Sequence, residues 1–134
     1  IQESEIETLL KMTNNESTQI ITQEFIEDIY EGDFRILIIH GKPFKKTLAR
    51  IPQGDSFKGN LAAGGKGVVK DISDFQFEMA SEIGDFLIQK DINFAGIDVI
   101  GNFLTEINVT SPTCARQILD QSGENPIQEY FEKL

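Results

Sequence analysis

Apolar positions along this chain recur at two spacings, and the switches between them mark out its elements. Residues 4–12 place Ile6, Leu9 and Leu10 on one side of a short predicted helix, and Thr13, Asn14 and Asn15 then signal a turn. Residues 18–26, TQIITQEFI, are β-branched and aromatic and predict a strand. Acids follow at Glu24, Glu27 and Asp28, and Glu31-Gly32-Asp33 turns the chain. Residues 34–39, FRILII, predict a strongly apolar strand with one charge, Arg35. His40-Gly41-Lys42-Pro43 reads as a hairpin turn and residues 44–50 as the returning strand. The main helix is predicted over residues 73–90. Ser73 and Gln76 form a capping box, Phe77, Ala80, Ile83, Gly84 and Leu87 form the core stripe, and Phe75, Met79 and Phe86 widen it. Arg116 begins a short helix, and Pro126 starts a last one over residues 127–134.

Between these helices lies the segment that organises the chain, residues 93–116, NFAGIDVIGNFLTEINVTSPTCAR. Two apolar runs flank Gly101-Asn102, and both carry groups that are costly inside a strand. A two-residue loop pairs Asp98 with Thr105 and turns Glu106 onto the face of Ile97 and Val99, an unpaired charge among aliphatics. One further loop residue pairs Asp98 with Glu106. Asp98, Glu106 and Asn108 then share one face, while Ala95, Ile97, Val99, Thr105, Ile107 and Val109 share the other. Burial of one face fixes register, so the second arrangement is expected. Facing carboxylates repel unless something positive lies between them. Their donors are all oxygens, which suits a hard divalent cation such as Mg²⁺, with Mn²⁺ as a substitute.

Arginine is used sparingly. Nine lysines accompany three arginines, Arg35, Arg50 and Arg116. With a turn at Gly41-Lys42, Arg35 and Arg50 fall on one face of their hairpin, and any shift by two residues keeps them together. Like charges sharing a face call for an anion between them, a phosphate or a carboxylate.

Residues 51–67, IPQGDSFKGNLAAGGKG, form the longest irregular stretch, with five glycines and the bases Lys58 and Lys66. Glycine lets the backbone approach a ligand closely, and clustered N–H groups cradle anions. A lid over phosphates is expected. It is not a Walker A loop, since the Gly-Lys-Ser/Thr signature is missing.

The length suits one domain, residues 1–134. The net charge of −10 argues against nucleic-acid partners and anionic membrane surfaces. No apolar run is long enough to span a bilayer. The single cysteine, Cys114, fits a reducing cytoplasm. The fold class expected is α+β, with antiparallel hairpins in one sheet and the main helix packed on it.

GDFRIL, LARIPQGDSFKGNLAAGGKG and GIDVIGNFLTEINVTSPTCAR, in this order and spacing, resemble the bacterial type of glutathione synthetase, an ATP-grasp ligase. The resemblance runs from Thr18 to Arg116. It implies an ATP-grasp C-terminal half, with the family's N-terminal substrate domain and the first part of its ATP-grasp domain lying before Ile1. It implies an ATP-dependent glutathione synthase that joins γ-glutamylcysteine to glycine through an acyl phosphate, with ATP as co-substrate and a homo-oligomeric full-length enzyme. Carried over, Asp98, Glu106 and Asn108 match metal ligands. Arg35 and Arg50 match catalytic, anion- and substrate-binding arginines. Gln23, Glu24, Phe25 and Ile26 match the hinge that holds adenine, with Asp33 near the nucleotide's polar end. Asn108, Ser111 and Thr113 match positions beside the dipeptide. Lys58, Gly59, Asn60, Gly64, Gly65 and Lys66 belong to the lid, although lysine stands where the family often has arginine. The isolated fragment is expected to be inactive. Two other readings are an ATP/Mg-binding module without catalysis and an ATP-grasp ligase for a different acid and amine.

Overall fold

The structure is a computed structural model that describes residues 3–54 and 65–134. Five strands form one antiparallel sheet in the order β3-β2-β1-β4-β5: β1 (Asp33–Ile39), β2 (Lys42–Ile51), β3 (Lys66–Asp71), β4 (Phe94–Ile100) and β5 (Phe103–Asn108). The helices are α1 (Glu3–Met12), α2 (Asp74–Ile88), α3 (Ala115–Ser122) and α4 (Pro126–Glu132). The architecture is α+β, as expected, and the two predicted hairpins are joined through β1 and β4.

Strand alternation divides the core between two faces. Ile36, Ile38, Ala95, Ile97 and Val99 meet Ala80 and Leu87 of α2 on one side. Leu37, Ile39, Phe44 and Leu48 meet Ile118 of α3 and Tyr130 of α4 on the other. The cap of α2 is as predicted: Ser73 Oγ accepts from the Gln76 N–H at 3.2 Å, and Gln76 Oε1 accepts from the Ser73 N–H at 3.0 Å. Gly84 brings α2 onto the β1–β2 turn so closely that a Cβ there would stand 2.2 Å from the Gly41 carbonyl oxygen. On the opposite face His40 stacks on Tyr130, with ring centroids 4.9 Å apart, and so pins α4 to the same turn.

Four expectations are corrected. Residues 19–26 form no strand but an exposed, irregular segment that leads into a 3-10 turn, Glu27–Glu31. Their β-branched residues find no partner strand, and β-propensity expresses itself only on a paired, half-buried surface. The aromatics of α2 are not core: Phe75, Phe77 and Phe86 are about half exposed, because small residues, Ala80 and Gly84, occupy the line closest to the sheet. The β1–β2 loop is His40-Gly41, since Ile39 pairs with Lys42. Strand β3 was not foreseen. It turns the end of the glycine-rich stretch into sheet, with Lys66 paired to Ile51 and Gly67 to Arg50.

Candidate functional site

The site begins with a register. Asp98 pairs with Glu106, yet Ile100 pairs with Phe103, so the loop is Gly101-Asn102 after all. Thr105 is the extra residue of a bulge between these pairs, and its hydroxyl donates to the Asp98 carbonyl at 3.1 Å. A bulge restores the facing that a tight turn would have reversed. Asp98 and Glu106 therefore share a face, as expected, and Gly96 pairs with Asn108 on that same face.

The same device operates in the other hairpin. Arg35 pairs with Leu48 and Asp33 with Arg50, whereas the turn end is offset by two residues. A shift of two preserves facing, so Arg35 and Arg50 do fall on one side. The third arginine, Arg116, lies on the surface beside Asp120.

Pairing of β1 with β4 then sets Arg35 directly opposite Asp98. Arg35 grips that carboxylate with two bonds, Nε to Oδ1 and Nη2 to Oδ2, the latter at 2.8 Å. Arg50 reaches the same carboxylate through Nη2, 2.7 Å from Asp98 Oδ2, and also bonds Asp33 Oδ2 at 2.5 Å. Arg35 Nη2 lies 3.9 Å from Glu106 Oε1. Asp98 thus lies between the two arginines, and Arg35 lies against Asp98 with Glu106 at longer range. Asp98 is 4 % exposed, Arg35 4 % and Arg50 8 %, so this is a dry network of charges in which bonds are strong and an unpaired group is costly. Two buried polar atoms lack a partner among the described residues, Asp33 Oδ1 and Arg50 Nε.

The electrostatics follow from this geometry. The bond to Asp98 raises the pKa of Arg35 against the opposing effect of burial. At Arg50 burial pulls down, but the bonds to Asp98 and Asp33 prevail and the pKa is raised. Burial pushes the carboxyl of Asp33 above its ordinary value, in spite of the Arg50 bond.

Glycine makes the close packing feasible. A Cβ on Gly96 would stand 2.8 Å from Pro112 Cβ and 3.1 Å from Arg35 Cδ. Its absence lets the Arg35 stem lie across β4 beneath the segment that carries Ser111 and Thr113. Asn108 bends that segment back, its Oδ1 accepting from the N–H groups of Thr110 at 3.2 Å and Ser111 at 3.1 Å. Ser111 and Thr113 themselves are exposed.

Gln23, Glu24, Phe25 and Ile26 line a cavity of about 280 Å³ whose other walls include Ile100 and Thr105 of the second hairpin. The hairpin turn seats the adjoining 3-10 turn, since a Cβ on Gly101 would stand 2.0 Å from Asp28 Oδ2. Sequence reasoning missed Gly96 and Thr105. The glycine inside an apolar strand, a mark of close approach, was the available signal for Gly96. Of the expected lid, Lys58, Gly59, Asn60 and Gly64 lie outside the described residues, while Lys66 stands in β3.

A sequence profile described as "Prokaryotic glutathione synthetase, ATP-grasp domain" matches residues 2–123. The chain belongs to this family. It is 45 % identical over 123 residues to "Glutathione synthetase" of Xylella fastidiosa (strain 9a5c), covering 92 % of the chain and 39 % of that protein. It is 50 % identical over 120 residues to the Nitrosomonas europaea protein of the same name, covering 90 % of the chain and 37 % of the relative. Against the Pseudomonas aeruginosa "Glutathione synthetase" it is 48 % identical over 116 residues, 87 % of the chain and 36 % of the relative. The chain therefore spans less than two fifths of the length of these relatives.

A divalent ion of the kind expected from the sequence needs oxygen donors. Among the described residues no three His, Cys, Asp or Glu side chains converge as a closed metal cluster. Mg²⁺ needs less, because it binds through one or two carboxylates and takes its other ligands from water and phosphate. Glu106 is half exposed with Arg35 Nη2 3.9 Å away, and among the described residues Asp98 Oδ1 accepts one bond, from Arg35 Nε. These two oxygen donors, side by side, fit such an ion. Asn108 fits less readily, because its Oδ1 already accepts two backbone N–H groups.

Proposed function

We propose that this chain forms part of an ATP-dependent carboxylate–amine ligase that joins γ-glutamylcysteine to glycine through an acyl phosphate. The observation that carries the reading is the pair Arg35 and Arg50, held by Asp98, with the buried Arg50 Nε–H without a partner among the described residues. Buried, pre-oriented guanidinium groups suit charge that grows on transferred phosphoryl oxygens.

In this reading the hinge at residues 23–26 receives adenine in the cavity against Ile100 and Thr105. Glu106 and Asp98 hold Mg²⁺, or Mn²⁺, with Asn108 as a third oxygen on that face. When bound, the ion neutralises charge on the phosphate oxygens. Arg35 and Arg50 bind the anionic ends of nucleotide and dipeptide and stabilise the transferring group. Asp98 does two jobs, since the guanidinium groups that orient it place two contacts on Oδ2 and one on Oδ1. Ser111 and Thr113 offer hydroxyls to the dipeptide on the segment that Asn108 curls. The glycine-rich stretch with Lys58 and Lys66 covers the acyl phosphate against water. The complete enzyme works as a homo-oligomer in the cytoplasm. The chain alone lacks turnover, since it spans less than two fifths of the relatives' length.

The test is ADP release by a protein of the relatives' full length carrying this sequence, given ATP, γ-glutamylcysteine and glycine. Release that depends on both co-substrates supports the reading. Nucleotide binding without release would favour a non-catalytic module, and release with a different acid or amine would favour another ligase of the same fold.

A further inference from the structure

Arg50 Nη2 carries two hydrogens and faces two carboxylates, Asp33 Oδ2 at 2.5 Å and Asp98 Oδ2 at 2.7 Å. Its backbone partner on β1 is Asp33, and its partner on β3 is Gly67, which has no side chain to offer. Of its other donors, the Nε–H is buried and without a partner among the described residues. Such a donor is rare in a folded protein and calls for an explanation. Asp33 is an uneasy residue here as well, since one of its own oxygens is buried and unbonded. We propose that Asp33 is a positioning residue: it holds one Nη2 hydrogen of Arg50 while Asp98 holds the other, which fixes the guanidinium plane and reserves the Nε–H for an anionic ligand oxygen, phosphoryl or carboxylate. The ligand part of this inference rests on the function proposed above. The positioning part stands on the free chain.

Nitrogen-15 NMR of the guanidinium groups tests it on the full 134-residue chain. With three arginines the spectrum is readable, and the surface residue Arg116 serves as a freely rotating reference. Arg50→Lys identifies the Arg50 signals by their loss. In the unsubstituted chain Arg50 should show separate, slowly exchanging Nη hydrogens. Asp33→Asn should collapse them and speed exchange at least about tenfold, the effect of losing a charge-assisted hydrogen bond. Asp33→Glu should restore part of the protection, and the Arg35 signals should hardly change. Asp33→Ser provides a second removal of the carboxylate, with the backbone amide spectrum as the check on folding. Arg50 signals unchanged in both removals would overturn the proposal. So would equal collapse of Arg35 and Arg50, which would mean general loosening. Separate titrations with ATP and with γ-glutamylcysteine show whether phosphoryl or carboxylate oxygen moves the Arg50 Nε–H. If a ligand shifts the backbone amides without moving it, the reserved donor fails alone; if neither ligand binds even a protein of the relatives' full length, the proposed function fails; in both cases the positioning result stands.

Discussion

Arg35 and Asp98 lie directly opposite one another on β1 and β4, and their side chains join through two bonds in a buried setting. Each sits in a strand where it would be untenable alone. Together, with Arg50 and Asp33, they give a set with two charges of each sign, in which Arg35, Arg50 and Asp98 are buried and Asp33 is partly so.

That sharing makes the partners unequal. Removing Arg35, as in Arg35→Met, leaves Asp98 still bonded to Arg50. Removing the acid, as in Asp98→Ala, takes the shared partner from both arginines. Breaking a buried pair costs roughly 3–5 kcal/mol, and Asp98→Ala should reach that range while Arg35→Met falls below it. Urea unfolding of the two variants checks the order. Equal losses would mean that Arg50 does not support Asp98.

Much of this site was legible in the sequence, but as two separate puzzles. The faces of Asp98 with Glu106 and of Arg35 with Arg50 followed from alternation. Their mutual solution did not, because pairing of β1 with β4 is a long-range choice that no local pattern encodes. The loop length at Gly101-Asn102 was misjudged for a related reason. A bulge at Thr105 corrects facing as effectively as a longer turn, and periodicity cannot tell the two apart. Residues 19–26 carry the composition of a strand without a neighbour to pair with. Strand β3 escaped notice because Val68 and Val69 are only a short apolar run among glycine and charge. In α2 the places of Ala80, Gly84 and Leu87 were legible from the stripe, but Phe75, Phe77 and Phe86 carry the composition of core while close packing at the sheet favours the small residues.

Gly84 gives a test in which the usual sign reverses. Gly→Ala inside a helix ordinarily gains up to about 1 kcal/mol. Here the added methyl would stand 2.2 Å from the Gly41 carbonyl oxygen, a backbone atom that cannot rotate away. Gly84→Ala should therefore destabilise, by roughly the 1–3 kcal/mol of an overpacked site. Thermal unfolding decides it, and a raised midpoint would show that α2 does not touch the β1–β2 turn this closely.

Asp33 should show a pH signature. Burial raises its carboxyl above the ordinary 3.8, outweighing the bond to Arg50. A carboxyl raised on folding favours the folded state below its unfolded pKa, and that advantage is lost as pH rises through the folded pKa. Ionised Asp33 therefore costs stability at neutral pH. Relative to the unsubstituted chain, Asp33→Asn should therefore gain stability as pH rises from the ordinary 3.8 towards neutrality and lose that relative gain as pH falls. Urea midpoints of both chains across that range check the sign. A difference that is constant or grows on acidification would remove burial as the governing effect.

Arg50→Lys separates what holds the fold from what acts in the site. An ammonium can sit between Asp33 and Asp98 and keep the Coulomb attraction, because three hydrogens are enough to reach two carboxylates. Stability should therefore fall little, by about 1 kcal/mol, the worth of one hydrogen bond. The planar fork is lost, however. Lysine has no second nitrogen at the Nε position, so a donor aimed at an anion disappears along with the guanidinium. If that donor acts on charge developing during phosphoryl transfer, a protein of the relatives' full length should lose kcat and kcat/KM together, by on the order of 10²-fold, the effect of removing one pre-oriented donor. The measurement is steady-state ADP release with ATP, γ-glutamylcysteine and glycine, paired with urea unfolding of the same variant. A rise in KM for the dipeptide at unchanged kcat would assign Arg50 to ground-state binding instead. Full activity in the lysine variant would take the Nε–H out of the chemistry, and a large stability loss would mean that Arg50 serves the fold first.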